Sequence, residues 1–269
     1  MTLAEIAVLL LAGAAAGFIG ASCRTSEGVI LFPSLLFYYA IAGVTSLVAA
    51  HLAAATGLTA VMVTALLSSW RSSRTNSVVW KGALVIGAVG VAGACAGSVM
   101  VSGMEGRSIT LVYAGIAVLS AVRLFVRQRK PKGEQQTRAV LPATLGAGFL
   151  AGVVTPLSGV EGGGLLGAAL YTIQRYPLMK AFGTASITTA GIAGGSAIAL
   201  VIAGWGNVFL PPSTIGYVDY RAAVLLIAGD IPGALLGGRL QGAPGGGSLR
   251  RVVAVVLLVV AVKLAFFGS

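Results

Sequence analysis

The sequence predicts an all-α polytopic membrane protein made of two inverted five-span repeats, about ten membrane segments with one short or broken in each half. Three observations lead there. The 269 residues are 57% hydrophobic and only 9% charged, with a mean hydropathy of +0.96, which leaves too few polar groups to coat a soluble globule. The apolar residues fall into long runs broken by charge and turn residues. The second half also repeats short motifs of the first at nearly constant spacing. The 39 glycines lie inside the apolar runs without a Gly-x-y period, so collagen and flexible linkers are excluded and close helix packing in lipid is favoured.

The runs can be justified in order. Leu3 to Ala21 carries Ala14-Ala15-Ala16, which resembles a signal-peptide cleavage site, but Glu5 is its only charge and no basic start precedes it, so it reads as a retained helix. Gly28 to Gly43 is marginal against the roughly 20 residues a spanning helix needs. Val44 to Leu67 and Val78 to Val101 are full spans, separated by Arg71 and Arg74. Ser108 to Leu124 follows Arg107 and completes a first repeat over residues 1–126. Residues 127–138, with Arg127, Arg129, Lys130, Lys132 and Arg138 around Pro131 and Gly133, read as a basic cytoplasmic linker. The second repeat, 139–269, opens with Ala139 to Val154 and continues with Gly162 to Ile173, too short to span alone. Ala181 to Ala203, Tyr220 to Leu240 and Leu249 to Phe267 complete it. Short segments at matching places in two halves are the mark of broken transporter helices.

The net charge of +11 would suggest nucleic acid in a soluble protein, but here Lys and Arg stand between hydrophobic runs, where they orient the chain; nucleic acid is not an expected partner. With ten crossings and both termini outside, only Arg107, Arg221 and Lys263 of the 18 Lys and Arg are left outside. Turning both short runs back divides them less unevenly, so the positive-inside rule prefers ten crossings.

Ala16-Gly17-Phe18-Ile19 recurs as Ala147-Gly148-Phe149-Leu150, Glu27-Gly28 as Glu161-Gly162, and Gly43 and Ser46 as Gly183 and Ser186. At an offset of 140, Gly93-Ala94 and Gly97 fall on Gly233-Ala234 and Gly237, Lys81 on Arg221, and Arg123 on Lys263. Five is odd, so the second copy enters from the opposite side, the arrangement that supports alternating access.

Two stretches stand out as helix breaks: Ser22-Cys23-Arg24-Thr25-Ser26-Glu27-Gly28, and Thr155-Pro156-Leu157-Ser158-Gly159-Val160-Glu161-Gly162-Gly163-Gly164. Irregular backbone of this kind must be sheltered by protein or line a cavity. The helix start after such a break presents unpaired N–H groups and a positive dipole end, which suits a small anion. Ser26, Gly28, Ser158, Gly162, Gly163 and Gly164 are therefore candidate substrate contacts, although Ser158-x-x-Glu161 also fits a capping box that needs no ligand. Hydroxyls of Thr45 and Ser46, and of Thr184, Ser186, Thr188 and Thr189, either donate to substrate oxygens or bond their own helix carbonyls.

A carboxylate beside an anion site repels the substrate unless protonated, so Glu27 and Glu161 are candidate proton carriers, with Arg24 beside them in a coupling or gating role. Asp230, mid-span and just before Pro232, is a further candidate for coupling or gating, or a structural hydrogen bond. His51 is the lone histidine, and Cys23 reads as either a reactive thiol or a packing residue. Two cysteines without a CxxC and one histidine supply no ligand set for zinc, haem or iron–sulfur, so no metal or cofactor is expected.

Two glycine-rich breaks, each after an Ala-Gly-Phe helix and followed by Gly-Ala-x-x-Gly in a later span, resemble the TauE/SafE sulfite exporter family, also called the toluene sulfonate uptake permeases. The clearest motif is Gly159-Val160-Glu161-Gly162-Gly163-Gly164, similar to that family's Gly-x-Gly-Gly-Gly break. The first copy, Ser26-Glu27-Gly28-Val29-Ile30, has no triple glycine, while Pro33 stands where the family often has proline. The resemblance implies transport of sulfite-like oxyanions or organosulfonates such as sulfoacetate, while the inverted repeat by itself gives the multi-pass carrier, expected in a prokaryotic plasma membrane. The expected partners are a small anion, the bilayer and, through the intramembrane acids, protons; a homo-oligomer is left open. An anion channel is the alternative, and an intramembrane serine hydrolase using Ser158 and His51 is the reading from another class.

Overall fold

A computed structural model of the chain describes residues 2–23, 25–125, 141–160, 163–239 and 246–267. Arg24, Glu161, Gly162 and the basic stretch 127–138 lie outside the described residues. The first half contains α1 (Leu3–Cys23), α2 (Gly28–Ile41), α3 (Ser46–Arg74), α4 (Trp80–Ser102) and α5 (Gly106–Phe125). The second contains α6 (Leu141–Ser158), α7 (Gly163–Thr172), α8 (Leu178–Ala203), a two-residue hairpin of β1 (Thr214–Ile215) and β2 (Val218–Asp219), α9 (Tyr220–Arg239) and α10 (Gly246–Phe267).

Five helices, α1, α3, α4, α8 and α9, are long and apolar enough to cross a membrane, and shorter apolar helices stand between them. Large apolar side chains such as Leu11, Val99, Ile198 and Phe266 are exposed on the outside of the bundle, a surface that lipid covers and water would not. The expected all-α polytopic fold is thus present. Helix α7, at ten residues, rises only about 15 Å, half of the roughly 30 Å hydrocarbon layer.

The bundle is assembled through glycines. A Cβ on Gly13 or Gly17 of α1 would collide with the carbonyls of Leu226 and Asp230, and one on Gly229, Gly233 or Gly237 of α9 with those of Leu10, Ala14 and Phe18. Contacts that advance four residues on both helices mean that α1 and α9 run parallel, backbone against backbone, in the small-xxx-small manner of membrane helices. Helices α6 and α4 do the same: Gly148 faces Ile86, Gly152 the Gly90 carbonyl, Gly93 that of Phe149, and Gly97 that of Val153. Helix α3 runs antiparallel to α8, with Ser68 beside Ser186 and Met62 beside Gly194. It is the central element, with Leu52, Ala53, Ala54, Ala55 and Leu58 fully buried, while α5 packs on α10 at the side.

These contacts recur between the halves at definite offsets. Trp80 and Tyr220, and Gly106 and Gly246, start helices 140 residues apart, matching the offset read from α4 and α9. The α1 contacts of Gly13 and Gly17 match those of Gly148 and Gly152, an offset of 135, one helical turn beyond the Ala16–Ala147 register. Val79 N–H donates to Thr184 Oγ1 and Asp219 N–H to Thr56 Oγ1, each at 3.0 Å, so α3 corresponds to α8 at an offset of 128. The sequence match of Gly43 and Ser46 to Gly183 and Ser186 is out of step with that contact register. Alanine and glycine identities recur every few residues in such a chain, and only packing selects among them.

Two local devices hold the breaks and ends. Pro33 sits inside α2 and cannot donate to the Val29 carbonyl four residues before it. Tyr113 Oη donates to that carbonyl instead, at 2.6 Å, with its ring stacked on Phe32 at 4.5 Å. Tyr113→Phe keeps the ring and leaves a buried carbonyl unpaired, and is expected to cost about 1–3 kcal/mol, read as a lowered thermal midpoint in detergent. An unchanged midpoint would show that another donor takes over. At the start of α9, Asp219 Oδ1 accepts from the N–H groups of Arg221 and Ala222 at 3.1 and 3.3 Å. Burial pushes that carboxyl above its usual range, and the two N–H groups draw it back.

Candidate functional site

The two breaks meet at one cavity. It has a volume of about 310 Å³ and is lined by the end of α1, by Thr25 and Glu27 just before α2, by α3 from Val61 to Ser72, by the first residues of α7, by α8 from Met179 to Thr189, and by Ala234 and Gly238 of α9. Helix breaks place it: α2 and α7 both begin here, because the chain leaves helix at Thr25 and at Gly159, where φ is +63°. Gly163 is necessary at the start of α7, since a Cβ there would collide with Thr189 Oγ1.

The polar lining is dominated by hydroxyls, from Thr25, Thr64, Ser68, Ser72, Ser186 and Thr189, around Glu27 and Arg71. Thr64 Oγ1 donates to Glu27 Oε2 at 2.6 Å, a bond shorter than its alternative to the Val61 carbonyl at 3.1 Å. Ser68 and Ser186 bridge α3 and α8 at 3.2 Å. Thr189 Oγ1 is buried and has no hydrogen-bond partner among the described residues. Arg71, in the last turn of α3 and exposed to the cavity mouth, is the one positive side chain among the described lining residues. Val61, Ala65, Leu67, Met179, Phe182 and Ala185 supply an apolar wall. Such a chamber presents several hydroxyls and one guanidinium, groups able to donate to an anion, beside one carboxyl.

Of the residues expected from sequence, Glu27, Gly163, Gly164, Ser186 and Thr189 line the cavity. Others do not. Ser26 and Gly28 are buried behind the lining, and Ser46 lies at the far end of α3, its carbonyl against Gly106. Ser158 is the last residue of α6, because that helix continues through Pro156; its Oγ donates to the Val154 carbonyl at 2.8 Å and accepts the Val160 N–H at 3.2 Å. Thr184 is taken by the Val79 N–H, and Thr188 back-bonds to the Thr184 carbonyl at 3.1 Å. Asp230 is fully buried in the α1–α9 crossing against Gly17, one turn before Ala234 reaches the cavity. Arg24, Glu161 and Gly162 lie outside the described residues.

His51 is likewise engaged elsewhere: its Nε2 stands 3.0 Å from the Val101 carbonyl and its ring stacks on Tyr217. With Ser158 bonded locally, the serine–histidine pair of the hydrolase reading is not assembled. Cys23 is buried and Cys95 exposed, both as free thiols.

A cavity between two broken helices in a glycine-packed bundle can be compared with known proteins. The sulfite exporter TauE/SafE family matches residues 9–264, nearly the whole chain. The chain belongs to the sulfite exporter TauE/SafE family. This TauE/SafE chain is 21% identical to a probable membrane transporter protein of Haemophilus influenzae, over 96% of its own length and 97% of the relative's. It is 25% identical to a probable membrane transporter protein of Bacillus subtilis over 87% and 88% of the two chains, and 26% identical to one of Xylella fastidiosa over 88% and 85%. No solved structure matches it.

Sequence reasoning missed Arg71, Thr64 and Ser68 in this TauE/SafE chain. It ended the third run at Leu67 and used Arg71 to orient the loop, whereas α3 continues to Arg74. A signal was present. Thr64, Ser68, Arg71 and Ser72 repeat at three- and four-residue spacing, a polar stripe on one helix face at the end of an apolar span.

Proposed function

We propose that this membrane transporter is a secondary carrier of a small anion, a sulfur oxyanion or an organosulfonate, that binds in the cavity between the two breaks and passes by alternating access. The carrying observation is the joint lining of one chamber by both breaks, Arg71 and six hydroxyls. The family and the relatives' names supply the transporter class, and the family name the sulfur chemistry. The matching contacts at offsets of 135, 128 and 140 support two repeats, 1–126 and 139–269, of inverted topology. The cavity opens on the side where α3 ends at Arg71 and Arg74, which the positive-inside rule makes cytoplasmic, with both termini outside a prokaryotic plasma membrane.

In this reading α7's N-terminus and Thr189 hold anion oxygens, and Glu27 carries a coupled proton, because an ionised carboxylate would repel the substrate. The test is thermal stability of the purified protein against sulfite, thiosulfate, sulfoacetate, taurine, sulfate and short carboxylates. A ligand at about a hundred times its Kd adds roughly 2.7 kcal/mol of stability, a midpoint rise of a few degrees. At least one sulfur anion is expected to give that rise, and Thr189→Val to reduce it by half or more. Absence of any rise from the sulfur anions with folded protein would remove the substrate assignment. Proton coupling is tested by Glu27→Gln, which is expected to flatten the dependence of uptake on an imposed pH gradient while leaving counterflow intact; a gradient response equal to that of the unmodified chain would remove it.

A further inference from the structure

The open cavity has a counterpart at the matching positions of the other half. Carried through the offsets of 135, 128 and 140, the cavity residues Gly20, Ser68 and Gly238 fall on Thr155, Ser196 and Ser98, and Met179 and Phe182 fall on His51 and Ala54. Every one of these counterparts is closed off. Thr155, Ser196 and Ala54 are 0% exposed, Ser98 is 1% and His51 4%.

Two of them are chemically out of place. The hydroxyls of Ser98 and Ser196 are buried with no hydrogen-bond partner among the described residues. A serine in a helix ordinarily donates to the carbonyl four residues back, as Ser69 does to Ala65 at 2.6 Å and Ser186 to Phe182 at 3.0 Å. Buried polar groups left unpaired call for a reason, and hydration in another conformation is one. Nor is the apolar packing at Ala54 symmetric with the open side. Gly159 packs on Phe32 and Ala54, so tightly that a Cβ would lie 2.7 Å from Phe32 Cδ2 and 3.0 Å from Ala54 Cα, whereas Phe182, the counterpart of Ala54, lines the open cavity.

We infer a second chamber on the face opposite the cavity mouth, shut in this conformation, lined by Ser98, Ser196, His51 and Thr155 and sealed by Gly159 against Phe32 and Ala54. It is the other half of the anion's path and opens as the first cavity closes. The inference rests on the proposed relation between the two halves and on alternating access.

Cysteine accessibility tests it in a Cys23→Ala, Cys95→Ala background, with a membrane-impermeant cationic methanethiosulfonate added to either face of sealed vesicles. Ser68→Cys is expected to react from one face. Ser196→Cys and Ser98→Cys are expected to react from the opposite face, each at least tenfold faster than Ala117→Cys, a fully buried position on α5. Gly159→Ala, which loosens the seal, should speed Ser196→Cys several-fold and slow Ser68→Cys. Rates at both serine positions no faster than at Ala117→Cys, or reaction from the Ser68 face, would overturn the chamber. Protection of Ser68→Cys by sulfur anions separates the two readings. Protection without Ser196 labelling leaves the binding site and removes the chamber, whereas opposite-face labelling without protection leaves the chamber and removes the substrate.

Discussion

Replacing Arg71 by glutamine is expected to raise the half-saturating anion concentration about tenfold, equivalent to about 1.4 kcal/mol of binding, with little change in thermal midpoint. The cavity holds several hydroxyls, but hydroxyls are neutral donors, and Arg71 is the one cation among its described lining residues. Removing it leaves Glu27 as the only charged group among those residues, so the field at the site changes sign whenever that carboxyl is ionised. The loss is limited by exposure: Arg71 stands in the last turn of α3 at the open mouth, where water screens the charge. Arg71→Lys keeps the charge and loses the planar fork, and is expected to fall between the two. Concentration-dependent counterflow in proteoliposomes measures both. Saturation at an unchanged concentration in Arg71→Gln would mean that the anion is held by helix ends and hydroxyls alone.

The largest effect on stability is expected at the glycine crossings. Gly17→Val places a branched side chain where even a Cβ meets the backbone oxygen and Oδ1 of Asp230, and neither α1 nor α9 can move aside without breaking the contacts of Gly13, Gly229 and Gly233. Overpacking commonly costs about 1–3 kcal/mol and here exceeds it, because backbone rather than a flexible side chain must yield. Gly152→Val in the α4–α6 crossing meets the Gly90 carbonyl and should behave alike. Gly115→Val is the control: nothing stands within 4 Å of its Cβ, and its exposed position should tolerate the change within about 0.5 kcal/mol. Size-exclusion profiles and thermal midpoints in detergent report the result. Equal stability of Gly17→Val and Gly115→Val would show that the two crossings are looser than the contacts imply.

The residues alone carry the fold class because hydropathy is a local property. A run such as Val78 to Val101 has no soluble alternative, and α4 from Trp80 to Ser102 forms within two residues of it. The glycine spacings in α4 and α9 were equally legible, since a common offset of 140 needs no knowledge of contacts. Helix ends were less so. Pro156 and Ser158 look like loop residues, yet α6 runs through both, because proline in a helix forfeits one donor and a serine near the end can bond backward to Val154.

The site divides along the same line. Broken helices with glycine at their starts are written in the chain, and Glu27, Gly163 and Gly164 follow from them, as Ser186 and Thr189 do from the hydroxyls of the eighth run. That Ser46 is remote, that Thr184 is consumed by Val79, and that Arg71 and Thr64 face the breaks are consequences of how α3 lies against α8. Sequence by itself determined a glycine-packed membrane bundle with two interrupted helices. Only the tertiary structure decided which hydroxyls and which cation share the chamber, because hydropathy and spacing constrain each helix along its own axis, whereas a cavity depends on the rotation and depth at which separate helices meet.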